Sequence, residues 1–116
     1  MEIKFQLLSQ SEKLNAYISK LLPNYPKKEY VLKHNIEKNL YELIEDVFAY
    51  NIYQANRIKE KYLKEYIIKL SMLDFYMRQS FHKKYISKHQ LECISKIEIE
   101  LRKIAYGLIK REKDNV

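Results

Sequence analysis

The chain has 116 residues, 47% of them hydrophobic, with one glycine, two prolines and a formal charge of +7. So few turn residues exclude a sheet-rich fold, which needs a turn every 8–12 positions or so, and leave helices to carry the chain as one domain over residues 1–116. The single cysteine, Cys93, excludes an intrachain disulfide and suits a reducing cytoplasm. No stretch approaches the ~20 apolar residues of a membrane span. The N-terminal MEIKFQLLSQSEK lacks the basic and then apolar regions of a signal peptide, so a soluble cytoplasmic protein is expected.

In chain order, residues 1–8 suit either an extended arm or an early helical turn. Ser9 and Glu12 have capping-box spacing and predict a helix start near Ser9. Leu14, Tyr17, Ile18, Leu21 and Leu22 follow at helical spacing, and Pro23 and Pro26 end the helix. A second helix is expected from about Glu29 to Asn51. Its stripe is Ile36, Leu40, Leu43 and Val47, widened by Ile44 and Phe48.

The polar segment Asn51–Asn56 reads as a loop without a strong breaker. A third helix, from about Arg57 to His82, carries Leu63, Tyr66, Leu70, Leu73 and Met77 at spacings of 3, 4, 3 and 4. Lys83-Lys84-Tyr85 makes the next turn. Ser87 and Gln90 form a second capping box, with Ile86 and Leu91 at the staple positions. The last helix repeats the rhythm with Ile94, Ile97, Leu101, Ile104 and Leu108, and residues 112–116 should fray. That rhythm is the seam of a bundle, so the expected fold is all-α, an up-down-up-down antiparallel four-helix bundle. Ile52, Tyr53, Ile68, Tyr76 and Ile99 cannot all join one stripe, and their exposed remainder would be a partner surface.

Catalytic signatures are scarce. A bundle di-metal site uses Glu-x-x-His, whereas His34-x-x-Glu37 and His89-x-x-Glu92 run the other way, and no zinc-ligand cluster exists. No cofactor is implied. Arg78 and His82 share a helix face, the one trace of a helical ribonuclease. Charge is more informative. Residues 1–56 carry 7 Lys and 7 Asp+Glu, so the whole excess of +7 lies in residues 57–116. Lys96, Lys103 and Lys110 are seven apart, with Ile99 and Tyr106 between them and Lys113 beyond. Lys103 lies about 200° around from Leu101, away from the core. Cations around an aromatic suit a phosphate backbone and a stacked base. Lys61, Lys64, Lys83, Lys84 and Lys88 extend the candidate patch towards the third helix and its turn.

Four pieces together carry a resemblance over about residues 14–111: LLPNYPKKEY, NIEKNLYELIED, KLSMLDFYMRQSF and YISKHQLECISKIEIELRKIAYGLIK. Their order resembles the accessory variability determinant proteins of diversity-generating retroelements. It is also similar to the four-helix proteins encoded within ribosomal RNA intervening sequences. The resemblance implies a non-catalytic, barrel-like homopentamer. Such a ring would bind a reverse transcriptase and nucleic acid, RNA or DNA, and support mutagenic cDNA synthesis. The alternative it implies is a stand-alone oligomeric scaffold or RNA binder of the intervening-sequence type. The chain departs from the family at its last helix. Arg102 and Tyr106 fall where glycines are usual, Gly107 adjoins one such position, and Leu108 replaces a tryptophan.

Overall fold

The computed structural model describes residues 3–114, with side chains from residue 5 onward. Helix α1 spans Ile3–Leu21, α2 Tyr30–Ile52, α3 Asn56–His82 and α4 Lys88–Asp114. Two short 3₁₀ turns, Leu22–Asn24 and Lys27–Glu29, join α1 to α2. Each helix packs on its sequence neighbour and α4 closes back on α1. The result is an antiparallel four-helix bundle of 48 × 24 × 20 Å.

The seams are those the spacing predicts. Leu14, Ile18, Ile36, Leu40, Leu43, Val47, Leu63, Leu70, Leu73, Met77, Ile94, Leu101 and Leu108 are all buried. Each large aliphatic side chain removed from water contributes roughly 1.5–3 kcal/mol. Phe48, assigned to the widened α2 stripe, is instead exposed, because it lies on the outer flank of α2. Tyr76 packs partly against the core, while Ile52, Tyr53, Ile68 and Ile99 stay outside it.

Helix α1 differs most from expectation. It is already helical at Ile3, so Ser9 is interior to it, and the Ser9 hydroxyl donates back to the Gln6 carbonyl at 3.3 Å. The early helical turn is the one adopted: Leu7 is fully buried, so its turn gains core contact. Residues 1 and 2 of the arm segment lie outside the described residues. Helix α4 continues through Asp114, with Glu112 buried, so the expected tail begins within the helix; residues 115 and 116 lie outside the described residues.

The connections have local causes. Tyr25 is extended (φ −72°, ψ 146°), as the residue before Pro26 must be, and its ring packs beside Tyr85 at 5.2 Å. The α2–α3 link is only Tyr53 to Ala55, with extended backbone at both ends. Lys59 stabilises the end of α2 from α3. Its ammonium donates to the Tyr50 carbonyl at 2.7 Å and lies 4.5 Å from the centre of the Tyr50 ring. A cation satisfies an orphan carbonyl there and matches the negative end of the helix dipole. At α4 the capping box is fully formed. Gln90 N–H donates to Ser87 Oγ at 3.1 Å, and Ser87 N–H to Gln90 Oε1 at 2.8 Å. Ile86 is buried and Leu91 half-buried, as a staple requires.

Polar groups inside the bundle are few and unequal. Ser11 donates to the Leu7 carbonyl at 2.6 Å, so the buried Tyr66 hydroxyl, also 2.6 Å away, is the donor to Ser11 Oγ. That bond crosses the core from α3 to α1. Between α2 and α3, buried Asp46 accepts from the Lys69 ammonium at 2.9 Å.

Candidate nucleic-acid interface

Helix α4 positions the principal lysine row. Its buried side chains Ile94, Leu101, Ala105 and Leu108 hold one face inward, which turns Lys96, Lys103 and Lys110 outward. All three are exposed, and none has an ion-pair partner among the described residues. At 1.5 Å per residue the row is about 21 Å long, or about six base-pair rises. A strict heptad spacing drifts ~20° per step on a straight helix, so the row coils slightly around α4. Ile99 and Tyr106 are exposed beside it, at 52% and 55%, leaving the phenol ring open for stacking.

The other candidate lysines are placed differently. Lys113 lies beyond the row and 3.5 Å from Glu60, a carboxylate that it shares with Lys64 at 3.8 Å. Lys83, Lys84 and Lys88 come together at the α3–α4 turn, at the far end of α4 from Lys113. Lys83 is bound to Glu29 at 2.9 Å, and that bond holds the Glu29 carboxyl below its usual range. Lys84 and Lys88 are exposed. Lys84 adopts a left-handed backbone (φ 68°), which closes α3 through bonds from Lys84 N–H to the Phe81 carbonyl and Tyr85 N–H to the Ser80 carbonyl. Lys61 sits over the Tyr62 ring at 5.4 Å.

The structure thus separates an unpaired row, Lys96, Lys103 and Lys110, from partly neutralised flanks. Sequence reasoning missed Arg102, half-buried between α3 and α4, whose guanidinium donates to Ser71 Oγ at 3.4 Å. It also did not use Gly107 as a structural feature. This glycine is exposed on α4, and a Cβ built there would meet nothing within 4 Å.

Beneath the α3–α4 groove lies Glu98, 1% exposed, with neither carboxyl oxygen hydrogen-bonded to a charged or polar donor. Burial, and then the nearby Asp74 carboxylate, push its carboxyl up to about 9, against the pull of Arg102 and Arg78. Glu98 is therefore neutral at pH 7. Arg78 is committed to Asp74 at 3.1 Å, and His82 is exposed with its ring 5.7 Å from that of Phe81. No group of three His, Cys, Asp or Glu among the described residues could hold a metal ion. No helix among them is long and apolar enough to cross a membrane.

Comparison with solved structures finds a close likeness of fold. A protein of unknown function from the S23 ribosomal protein family of Bacteroides thetaiotaomicron superimposes with a TM-score of 0.85 at 14% identity, over 94% of this chain and 99% of that one. Among curated proteins nothing matches. The family model described as bAvd-like matches residues 5–112, which takes in all four helices and the lysine row, and the chain belongs to that family.

Proposed function

We propose that this protein is a non-catalytic accessory subunit of a diversity-generating retroelement. In this reading it works in the cytoplasm as a homo-oligomeric ring, a pentamer, that binds a reverse transcriptase and RNA or DNA. Membership of the bAvd-like family supports the retroelement setting. The observation that carries the nucleic-acid part is the unpaired row Lys96, Lys103 and Lys110 on the outer face of α4. A cation without an internal partner is free to displace counterions from a phosphate backbone. Lys113, Lys84 and Lys88 would extend the track at its two ends, and Lys83 contributes less because Glu29 neutralises it.

The test is binding to unrelated RNA and DNA across a salt series. Affinity should fall by about 0.9 log unit per log unit of salt for each duplex phosphate neutralised. The double variant Lys103→Glu/Lys110→Glu should bind more weakly and with a flatter salt slope. Helicity should be retained, since both side chains stand outside the core. Tyr106→Ala should cost single strands more than duplexes, by roughly 1–3 kcal/mol per stacked base. Unchanged affinity in the lysine double variant would remove the row from the interface.

A second reading, a stand-alone oligomeric scaffold or RNA binder of the ribosomal RNA intervening-sequence type, draws support from the fold likeness to the S23 family protein. A reverse transcriptase gene beside this one, whose product co-purifies with the protein, would favour the first reading; its absence would favour the second.

A further inference from the structure

Arg102 is a guanidinium without a counter-charge. It is half-buried between α3 and α4 and has no ion-pair partner among the described residues. Its side chain donates to the Ser71 hydroxyl at 3.4 Å, which occupies one of an arginine's five donors. No Arg102 nitrogen is buried without a partner, so those left unbonded open on solvent. Two carboxyls stand beside it, and neither neutralises it. Asp74 is held by Arg78 at 3.1 Å. Glu98 lies beneath, fully buried, and is uncharged at pH 7 because burial and the Asp74 carboxylate keep its proton on. Two guanidiniums therefore face one ionised carboxylate, and one positive charge is left over in the groove.

The walls around Arg102 suit a nucleotide strand. Ile99 and Tyr106 stand one turn before it and one turn after it on the same side of α4, and both are exposed. Phe75, one turn on from Ser71, is an exposed ring on the facing helix α3. A planar guanidinium fork matches the oxygens of a phosphate. Exposed rings beside it can stack on bases, and only an unpaired base has a face free to stack. Cation and rings together favour a single strand over a duplex.

We propose that Arg102 holds a phosphate of a single-stranded nucleic acid in the α3–α4 groove, with Glu98 beneath it as the group that gates the site. This rests on the nucleic-acid part of the proposed function and adds a site off the lysine row, together with its regulation. While Glu98 keeps its proton, no internal anion competes with phosphate for the fork. Once ionised, Glu98 becomes that anion and repels phosphate as well. The charges facing Glu98 are Asp74 and Arg78 from α3 and Arg102 from α4 itself. Helix α1, the other neighbour of α4, turns Leu14 and Ile18 to the interior; its Glu12, Lys13 and Lys20 are exposed, and Tyr17 acts on Cys93. The gate therefore closes as pH rises through about 9.

The test is fluorescence anisotropy of a labelled oligoadenylate, whose bases have no proton to lose near pH 9, with circular dichroism to confirm that each variant stays helical. Arg102→Gln should weaken binding at pH 7 by about tenfold, the loss of one charged contact. The same variant should lose less on the duplex that oligoadenylate forms with oligouridylate. Glu98→Gln keeps an uncharged side chain at every pH and serves as the reference for the gate. Relative to it, the parent chain should bind about twofold more weakly at pH 9 and about fourfold more weakly at pH 9.5, following the fraction of chains that keep the Glu98 proton. Lysine and cysteine titrations are common to both chains and cancel. Parallel pH profiles in the two chains would overturn the gate. An equal loss on strand and duplex would overturn the assignment to a single strand. Unchanged affinity in Arg102→Gln, with binding weakened in Lys103→Glu/Lys110→Glu, would overturn the site and leave the proposed function standing. A parent chain that binds no oligoadenylate at all removes both.

Discussion

Helix α3 meets its two neighbours through buried carboxyls that are handled in opposite ways. In the α2–α3 seam, Asp46 has a dedicated cation, Lys69, at 2.9 Å. In the α3–α4 seam, Glu98 is as deeply buried, yet the carboxylate beside it belongs to Asp74 and the two nearby arginines are engaged elsewhere, with Asp74 and Ser71. The first seam keeps a charge and neutralises it with a partner. The second removes the charge by keeping a proton. Burial raises both carboxyls, but Lys69 opposes the rise at Asp46, whereas Asp74 reinforces it at Glu98. Burial is the leading cause at both acids, and the sign of the neighbouring charge sets whether it is opposed or reinforced.

Breaking the paired seam should have the largest effect. Lys69→Met leaves Asp46 buried without its cation and should cost about 3–5 kcal/mol at pH 7, measured by urea unfolding. The loss should shrink on acidification, since a neutral Asp46 has no need of a cation. An equal loss at all pH values would mean that Lys69 acts only through packing.

The proton-holding seam gives a stability slope of definite sign. The Glu98 carboxyl is raised from 4.5 to about 9, so between those values the folded chain holds a proton that the unfolded chain has released. Its contribution is whole below pH 4.5, falls as pH rises and levels off above about 9. Glu98→Gln keeps the shape and has no proton to lose. Its stability relative to the parent chain should therefore improve by about 3 kcal/mol between pH 4.5 and 7. A difference that stays constant over that window would show that Glu98 is ionised in the fold.

The smallest effect sharpens the role of the neighbour. Asp74→Asn removes the charge that adds to burial, so the pH at which stability stops falling should move below about 9. The change at pH 9 should be on the order of 1 kcal/mol. An unmoved upper limit would assign the whole rise at Glu98 to burial.

Much of the bundle was legible because its information is periodic. The seams through Leu70 and Leu101 and the cap at Ser87 need only local spacing, and each is found in place. Ser9 shows the limit of such signals. Ser-x-x-Glu can also occur inside a helix, where the hydroxyl bonds to the preceding turn, and only the burial of Leu7 reveals that α1 continues upstream. The outward direction of Lys96, Lys103 and Lys110 was readable by the same periodicity. The neutralisation of Lys83 by Glu29 was not, because the partners are 54 residues apart. Glu98 was also hidden, since a carboxyl on the flank of a seam is sorted only by what the neighbouring helix places against it.

Gly107 carries a consequence for motion. It sits in the C-terminal third of α4, two turns before the helix ends, with open space above it and no side chain to shield the backbone. A glycine at such a place weakens a helix by about 1 kcal/mol relative to alanine. Amide hydrogen exchange within the interior of α4 should therefore be fastest around Tyr106–Leu108, with slower exchange towards Leu101. Gly107→Ala should suppress that local opening and raise the melting temperature by about 4 °C. Helix α4 is thus most easily opened beside its lysine row, and a ligand that grips the row on both sides of Gly107 would quiet the helix there.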